Sequence, residues 1–319
     1  MVLDFERSIA EIEEKILLLK KKEDHDSMSG NMLEALEASL KNEIDKVYNN
    51  LDPWKITQIA RHFDRPTFLD YVKLIFTDFV ELHGDRSFFD DKALVGGMAK
   101  LDGEKVFILG HQKGRDMNEA KMRNFGMPRP EGYRKALRIM EMASKFNRPI
   151  LTFIDTPGAY PGLDAEERGQ GEAIARNLRE MAKLQVPVIA TVIGEGGSGG
   201  ALGISVANKI LMLKYAIYSV ISPEGCASIL YRDSTKASEA AKALRLTADN
   251  LVQYGICDGI IEEPKGGAHR FMKETAQNMK AFLIDALKEL NKVSRSKISD
   301  KRIDKFLNIG VYSEKALKY

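Results

Sequence analysis

The stretch Val186-Pro187-Val188-Ile189-Ala190-Thr191-Val192-Ile193-Gly194-Glu195-Gly196-Gly197-Ser198-Gly199-Gly200 decides how this chain folds. A β-branched run of this length, opened by a proline, predicts a strand buried on both faces. It empties into glycines around one serine, and Ala201-Leu202-Gly203-Ile204 then starts a small-residue helix. Glycine lets a backbone approach a ligand closely and take up positive φ at little steric cost. The first turn of a helix leaves N–H donors unpaired and carries partial positive charge. Together these features point to an oxyanion site made of main chain, with Ser198 as an N-cap or turn residue. Two other readings fit the same residues. Gly196 to Gly200 satisfies G-x-S-x-G between a strand and a helix, and Asp233, Asp249 or Asp258 with His269 would complete a hydrolase order, although no motif places that acid or base. The third reading is a tight turn that binds nothing.

The same grammar occurs upstream. Residues 149–154 predict a buried strand, Asp155-Thr156-Pro157-Gly158-Ala159-Tyr160-Pro161-Gly162 a turn-rich loop, and residues 165–184 an amphipathic helix with Ile174, Leu178 and Met181 on one face. Asp155-Thr156-Pro157-Gly158 is similar to the magnesium-side loop of GTPases, but the sequence holds no G-x-x-x-x-G-K-[ST] phosphate cradle. What remains is a stiff turn, or a pocket wall facing the glycine loop. A third run, 209–213, leads through 218–221 to Ser222-Pro223, an N-cap and first helical position. Residues 98–108 form a hairpin turning on Asp102-Gly103. Strand, loop and helix units at similar spacing predict a wound α/β core.

Six motifs, in order, resemble the carboxyltransferase alpha-subunit family of bacterial acetyl-CoA carboxylase. They are Arg123-Asn124-Phe125-Gly126-Met127-Pro128, residues 130–137, residues 153–162, Ala165-Glu166-Glu167-Arg168-Gly169-Gln170, residues 194–202 and residues 218–225. The resemblance runs from about Pro53 to about Arg270. It implies a crotonase-like α/β fold that transfers a carboxyl group from carboxybiotin to acetyl-CoA, giving malonyl-CoA for fatty acid synthesis. It also implies a site shared with a carboxyltransferase beta subunit in an α2β2 assembly. Biotin would arrive on a biotin carboxyl carrier protein, and ATP would serve only the partner biotin carboxylase. Gly199 and Gly200 would polarise the biotin carbonyl, with Gly196, Gly197, Ser198, Gly158, Ala159 and Tyr160 shaping the carboxybiotin pocket. The beta subunit would hold the CoA thioester enolate. Alternatives are another acyl-CoA carboxyltransferase or a hydratase of the same fold, or a non-catalytic scaffold. A hydratase would want Glu195 as its base.

Composition is compatible with this. Over 319 residues the formal charge is +2, which does not suggest nucleic acid. Between His111 and Arg148, ten Lys/Arg face four acids, a local +6 that reads either as a solvated helix face or as attraction for CoA phosphates or an acidic carrier. Two cysteines without a C-x-x-C pair offer no zinc site, and Cys226 reads as packing. Few cysteines, no signal-peptide pattern and no long apolar run suggest a cytoplasmic protein without a membrane span.

Ile9, Ile12, Ile16 and Leu19, then Leu33, Leu36, Leu40, Ile44, Val47 and Leu51, step by three and four. They predict an αα-hairpin over 1–51 with a charged, flexible linker at 20–30, serving as a cap on this chain or as a subunit interface. Residues 52–292 would form the carboxyltransferase domain, with 271–290 as a surface helix. A fraying point at 293–296 would begin a basic tail, 293–319.

Overall fold

The computed structural model describes residues 2–21 and 27–310. Helices α1 (Arg7–Lys20) and α2 (Ser27–Tyr48) form the expected hairpin. Its apolar stripe closes on this chain's own body, where Ile9 and Tyr48 pack with Ile59 and Tyr215. Leu17 and Leu18 stay exposed. The linker expected over 20–30 is shorter where it is described: Lys20 ends α1 and residues 27–30 are already helical, while 22–26 lie outside the described residues.

After α3 (Pro53–Ala60) and α4 (Phe68–Ile75), strands β1 (Thr77–Glu81), β2 (Leu94–Leu101) and β3 (Glu104–His111) run antiparallel. The β2–β3 hairpin closes on Asp102 and Gly103 at φ 51° and 84°, the paired positive φ of a type I′ turn. Helices α5 (Met117–Met122) and α6 (Pro130–Lys145) lead to β4 (Ile150–Thr156). Next come α7 (Leu163–Glu167), α8 (Gln170–Lys183), β5 (Val188–Gly197) and α9 (Ser198–Leu202). The chain continues through β6 (Lys209–Leu213), β7 (Ile217–Ser219), α10 (Pro223–Tyr231), α11 (Ala237–Leu244), α12 (Ala248–Gln253) and β8 (Gly259–Ile261), and ends in α13 (Met272–Leu290) and α14 (Arg295–Leu307).

The sheet order is β1-β2-β3-β4-β5-β6-β8, with β7 also pairing β5. From β3 onward every pairing is parallel. Parallel strands need cover on both faces, and β4 and β5 are buried at every residue.

The β5 strand changes neighbour along its length. Ile189 to Val192 pair with β6, whereas Glu195 to Gly197 pair with β7. On the other side, β4 follows β5 to Ile154, slips, and rejoins at Thr156 opposite Gly196. The last three residues of β5 are therefore held from both sides just before the glycine turn.

Two local expectations change, at 165–184 and at 293–296. The single helix at 165–184 is two helices, because Gly169 at φ 80° turns the chain between α7 and α8. Gln170 Nε2 fixes that break by donating to Pro128 O and Tyr160 O, both at 2.9 Å. As expected, α13 is a surface helix, with Lys273, Glu274, Gln277 and Lys288 exposed and Ala276, Met279, Leu283 and Leu287 packed into the main core. The fraying point is instead a helix start, with Ser294 as N-cap of α14; of the tail, 311–319 lie outside the described residues. Arg302 explains why α14 docks. Fully buried, it donates to Met181 O (2.6 Å), Leu184 O (2.9 Å), Val186 O (2.7 Å) and Asn208 Oδ1 (2.6 Å). Leu184 O and Val186 O lie beyond the end of α8, where no helical N–H reaches them. Burial pushes its guanidinium down to about 10. Among the described residues, no helix is long and apolar enough to cross a membrane.

Candidate active site

The turn after β5 is a main-chain structure. Gly197 is the N-cap of α9 at φ −95°, and Ser198 sits at φ 51° in the left-handed region. An N-cap needs extended φ/ψ, so Ser198 does not cap the helix, and no side-chain cap hydrogen bond is made. A non-glycine residue at positive φ is strained and is held there by its surroundings. In a five-residue helix, Gly199 and Gly200 fall among the first N–H groups, which have no intrahelical acceptor.

The glycines around the turn differ in what they face. A Cβ on Gly196 would lie 2.8 Å from the Tyr218 ring, and one on Gly197 would lie 2.1 Å from Pro157 O. On Gly200 it would meet the Gly158 carbonyl carbon at 2.4 Å and Ala159 N at 2.5 Å. Gly199 is open, its nearest neighbour being Ile174 Cδ1 at 3.8 Å. Gly200 is accordingly buried, while Gly199 is half-buried and Ser198 exposed. A cavity of about 230 Å³ opens beside Ser198 and Gly199, walled by Leu202, Tyr218, Ser219, Val220, Leu251 and Ile256.

The structure brings Gly158 and Ala159 against Gly200, facing the glycine turn but not lining the cavity beside it. Thr156 Oγ1 stiffens that segment, accepting from Gly158 N at 3.1 Å and donating to Gly158 O at 2.6 Å. Tyr160 is engaged elsewhere: the Arg129 guanidinium lies 4.5 Å from its ring centroid, and Tyr160 does not line the cavity. The walls Tyr218, Leu251 and Ile256 were not foreseen. Tyr218 stands in one of the quoted motifs; nothing in the sequence singles out the other two.

Beneath the turn, His111 ends β3 fully buried. The Gly200 and Phe153 carbonyls lie beside its ring, yet Nε2 has no partner in hydrogen-bond geometry. Burial, reinforced by the Lys113 cation, pushes its pKa down to about 3, so the ring is neutral at neutral pH.

The competing chemistries lack their parts. Glu195 Oε1 accepts from Arg61 Nε at 2.9 Å and Nη2 at 2.6 Å, and Arg61 Nη1 also holds Glu224. A carboxylate pinned by an arginine is not a free hydratase base. His269 is stacked on His62 and bonded to Arg270, close to Glu6. Asp249 pairs Lys214, Asp258 pairs Lys305, and Asp233 caps a short turn. No hydrogen bond joins Ser198 to any of these among the described residues.

The basic segment is a solvated face only in part, at the exposed Lys121, Lys145 and Arg148. Six of its ten cations pair with acids: Lys113–Asp155, Arg115–Asp70, Arg123–Glu119, Arg129–Asp164, Arg134–Asp85 and Lys135–Asp90. Most of those acids lie outside 111–148, so the local +6 is largely neutralised by the fold.

Comparison with known proteins fits this geometry. The family described as "Acetyl co-enzyme A carboxylase carboxyltransferase-like" matches residues 2–310. The chain is 53% identical over 313 residues to the acetyl-coenzyme A carboxylase carboxyl transferase subunit alpha of Aromatoleum aromaticum, covering 98% of this chain and 97% of that protein. To the subunit of the same name from Actinobacillus succinogenes it is 56% identical over 310 residues, covering 97% and 98%. In structure it is similar to transcarboxylase 12S, at TM-score 0.58 and 18% identity over 82% of this chain and 46% of that one. It is also similar to a chain of a Pseudomonas malonate decarboxylase hetero-tetramer, at TM-score 0.55 and 19% identity over 67% and 85%. These neighbours share the crotonase-like α/β fold.

Proposed function

The chain belongs to the family of acetyl-CoA carboxylase carboxyl transferase alpha subunits, and on that premise we propose that the glycine turn is its carboxybiotin site. The carrying observation is Gly199, a main-chain donor without an intrahelical acceptor that lines a largely apolar cavity beside a strained, tightly braced turn. Biotin, delivered on a carrier protein, supplies the carboxyl group and is left with negative charge on its ureido oxygen. The Gly199 and Gly200 N–H groups are aimed by backbone alone, so they can meet that charge without reorganising, an effect worth about 3–4 kcal/mol per donor in comparable holes. Leu202, Val220, Leu251 and Ile256 give an apolar seat against which the bound ring would shield those hydrogen bonds from water. Ser198 shapes the turn and performs no nucleophilic step. Gly158 and Ala159 close the far side of Gly200.

In this reading the acetyl-CoA thioester is activated by a beta subunit, within an α2β2 carboxyltransferase that also meets a biotin carboxylase and its carrier in the cytoplasm. The product is malonyl-CoA for fatty acid synthesis. We take residues 1–51, 52–292 and 293–319 as hairpin, carboxyltransferase domain and tail. The test is malonyl-CoA decarboxylation with biocytin, using the chain alone and assembled with its beta subunit. Activity is expected only from the assembly and without any response to ATP. Full turnover by the chain alone overturns the shared site.

A further inference from the structure

We infer that Tyr218 is a positioning residue that sets the glycine turn for catalysis through its contacts with Gly196 and Ser205. The inference rests on the carboxybiotin reading of that turn.

The turn contains an exposed residue, Ser198, held at φ 51°. Such a backbone persists only where its surroundings over-determine it. Tyr218 touches the turn on both flanks. Ahead of Ser198, it pairs with Gly196 across β7 and β5, and its ring fills the space a Gly196 side chain would take, 2.8 Å from that Cβ position. Behind α9, its hydroxyl lies 2.8 Å from Ser205 Oγ. Ser205 is itself buried, and its N–H donates to Leu202 O at 3.0 Å, closing the end of α9. Tyr218 is anchored in turn by its own N–H, which donates to Leu246 O at 3.0 Å. One rigid side chain therefore spans the strand before the donors and the turn after them, with the ring also walling the cavity beside Gly199. A shift of the donors by a fraction of an ångström would weaken a hydrogen bond that matters most in the transition state, so the effect belongs in kcat.

The experiment uses the assembled carboxyltransferase, reading kcat and KM for biocytin in malonyl-CoA decarboxylation. Tyr218→Phe and Ser205→Ala each remove one end of the same hydrogen bond. Each is expected to lower kcat about 3- to 10-fold, with KM changed less than about two-fold. Because they break one interaction, the double variant should be no worse than the poorer single. Tyr218→Leu should lose more than Tyr218→Phe, whose ring still fills the Gly196 gap. Losses that multiply in the double variant, or a rise in KM at unchanged kcat, overturn the positioning role. Gly199→Val separates the two readings. If it abolishes turnover while Tyr218→Phe and Ser205→Ala keep wild-type kcat, only the positioning inference fails. If Gly199→Val itself turns over normally, the carboxybiotin site is wrong and the inference falls with it.

Discussion

Two loops of this protein are rigid for opposite reasons. The turn at 197–203 is held chiefly by close-packed backbone, braced at its flanks by Tyr218: Gly197 and Gly200 let peptide groups pack against Pro157, Gly158 and Ala159 at distances no Cβ would permit. The loop from His83 to Asp91 is held by side chains. Asp85 Oδ1 accepts from Ser87, Phe88 and Phe89 N–H at 2.8–3.1 Å and Oδ2 from Arg134 Nε at 2.8 Å, while Lys135 Nζ reaches Asp90 at 2.5 Å. Close-packed backbone resists added volume, and an ionic scaffold resists lost charge. Each loop is accordingly broken by the perturbation the other would tolerate.

The largest effect is expected at the glycine pair, and the two positions should part company. Gly199→Val has room in the folded chain, so the melting temperature should hold while kcat falls on the order of 10²-fold or more. Gly200→Val must push the Gly158–Ala159 backbone aside and should lose both stability and turnover. Turnover and thermal melts of both variants, assembled with the beta subunit, check this. Equal melting temperatures would mean that Gly200 is not closed off by Gly158.

Next comes the ionic loop. Asp85→Ala strands three N–H groups and Arg134 and should cost about 3 kcal/mol by urea unfolding. Among the described residues, the hydrogen bonds of Asp85, Asp90 and Asp91 run within the loop, to Ala93 just after it, and to α6 with its N-cap, none to the glycine turn. kcat of the assembled enzyme should therefore change less than about two-fold. A tenfold fall in kcat with stability intact would show the two loops to be coupled.

A smaller effect separates them by pH. His111, beneath the turn, is depressed to about 3 from an ordinary 6.5 by burial first and Lys113 second. The unfolded chain then binds the proton more tightly, so this contribution is full above about pH 6.5 and is lost as pH falls toward 3. Asp91, buried beneath the ionic loop, is raised to about 6 from 3.8, chiefly by burial. The folded chain binds that proton more tightly, so its contribution is full below 3.8 and declines as pH rises to about 6. The two slopes oppose each other between about pH 4 and 6. Unfolding free energy measured across that window should rise less with pH in His111→Gln and more in Asp91→Asn. Slopes matching the unmodified protein in both variants would refute these environments.

The smallest change belongs to Ser198. Since its side chain makes no cap, Ser198→Ala should keep turnover within about two-fold, and Ser198→Gly should stabilise the fold by about 1 kcal/mol by relieving positive φ. A fluorophosphonate should not label the protein; stoichiometric labelling at Ser198 would restore the hydrolase reading.

The candidate site was legible where it is contiguous. A main-chain oxyanion site needs adjacent glycines, and Gly196 to Gly200 stand together in the chain, as do Gly158 and Ala159 in their own motif. Its walls were not. Tyr218, Leu251 and Ile256 arrive because β5 abandons β6 for β7, and no local pattern announces a change of strand partner. Ser198 was misplaced as a possible cap because capping propensity knows the residue type and not its φ. The charge of 111–148 misled for a related reason: a count along the chain cannot see Asp70, Asp85, Asp90, Asp155 and Asp164 folding back onto it.

By itself, the sequence determined the buried parallel strands, the type I′ hairpin, the helical hairpin and the glycine turn, since each follows from spacing or from the stereochemistry of neighbouring residues. Only the tertiary structure decided that Gly199 is open and Gly200 closed, that Glu195 is pinned by Arg61, and that Arg302 draws the last described helix onto the body. These depend on which atoms meet across 40 to more than 130 residues of chain. Burial, close packing and charge pairing at that separation are properties of the folded chain rather than of any segment within it.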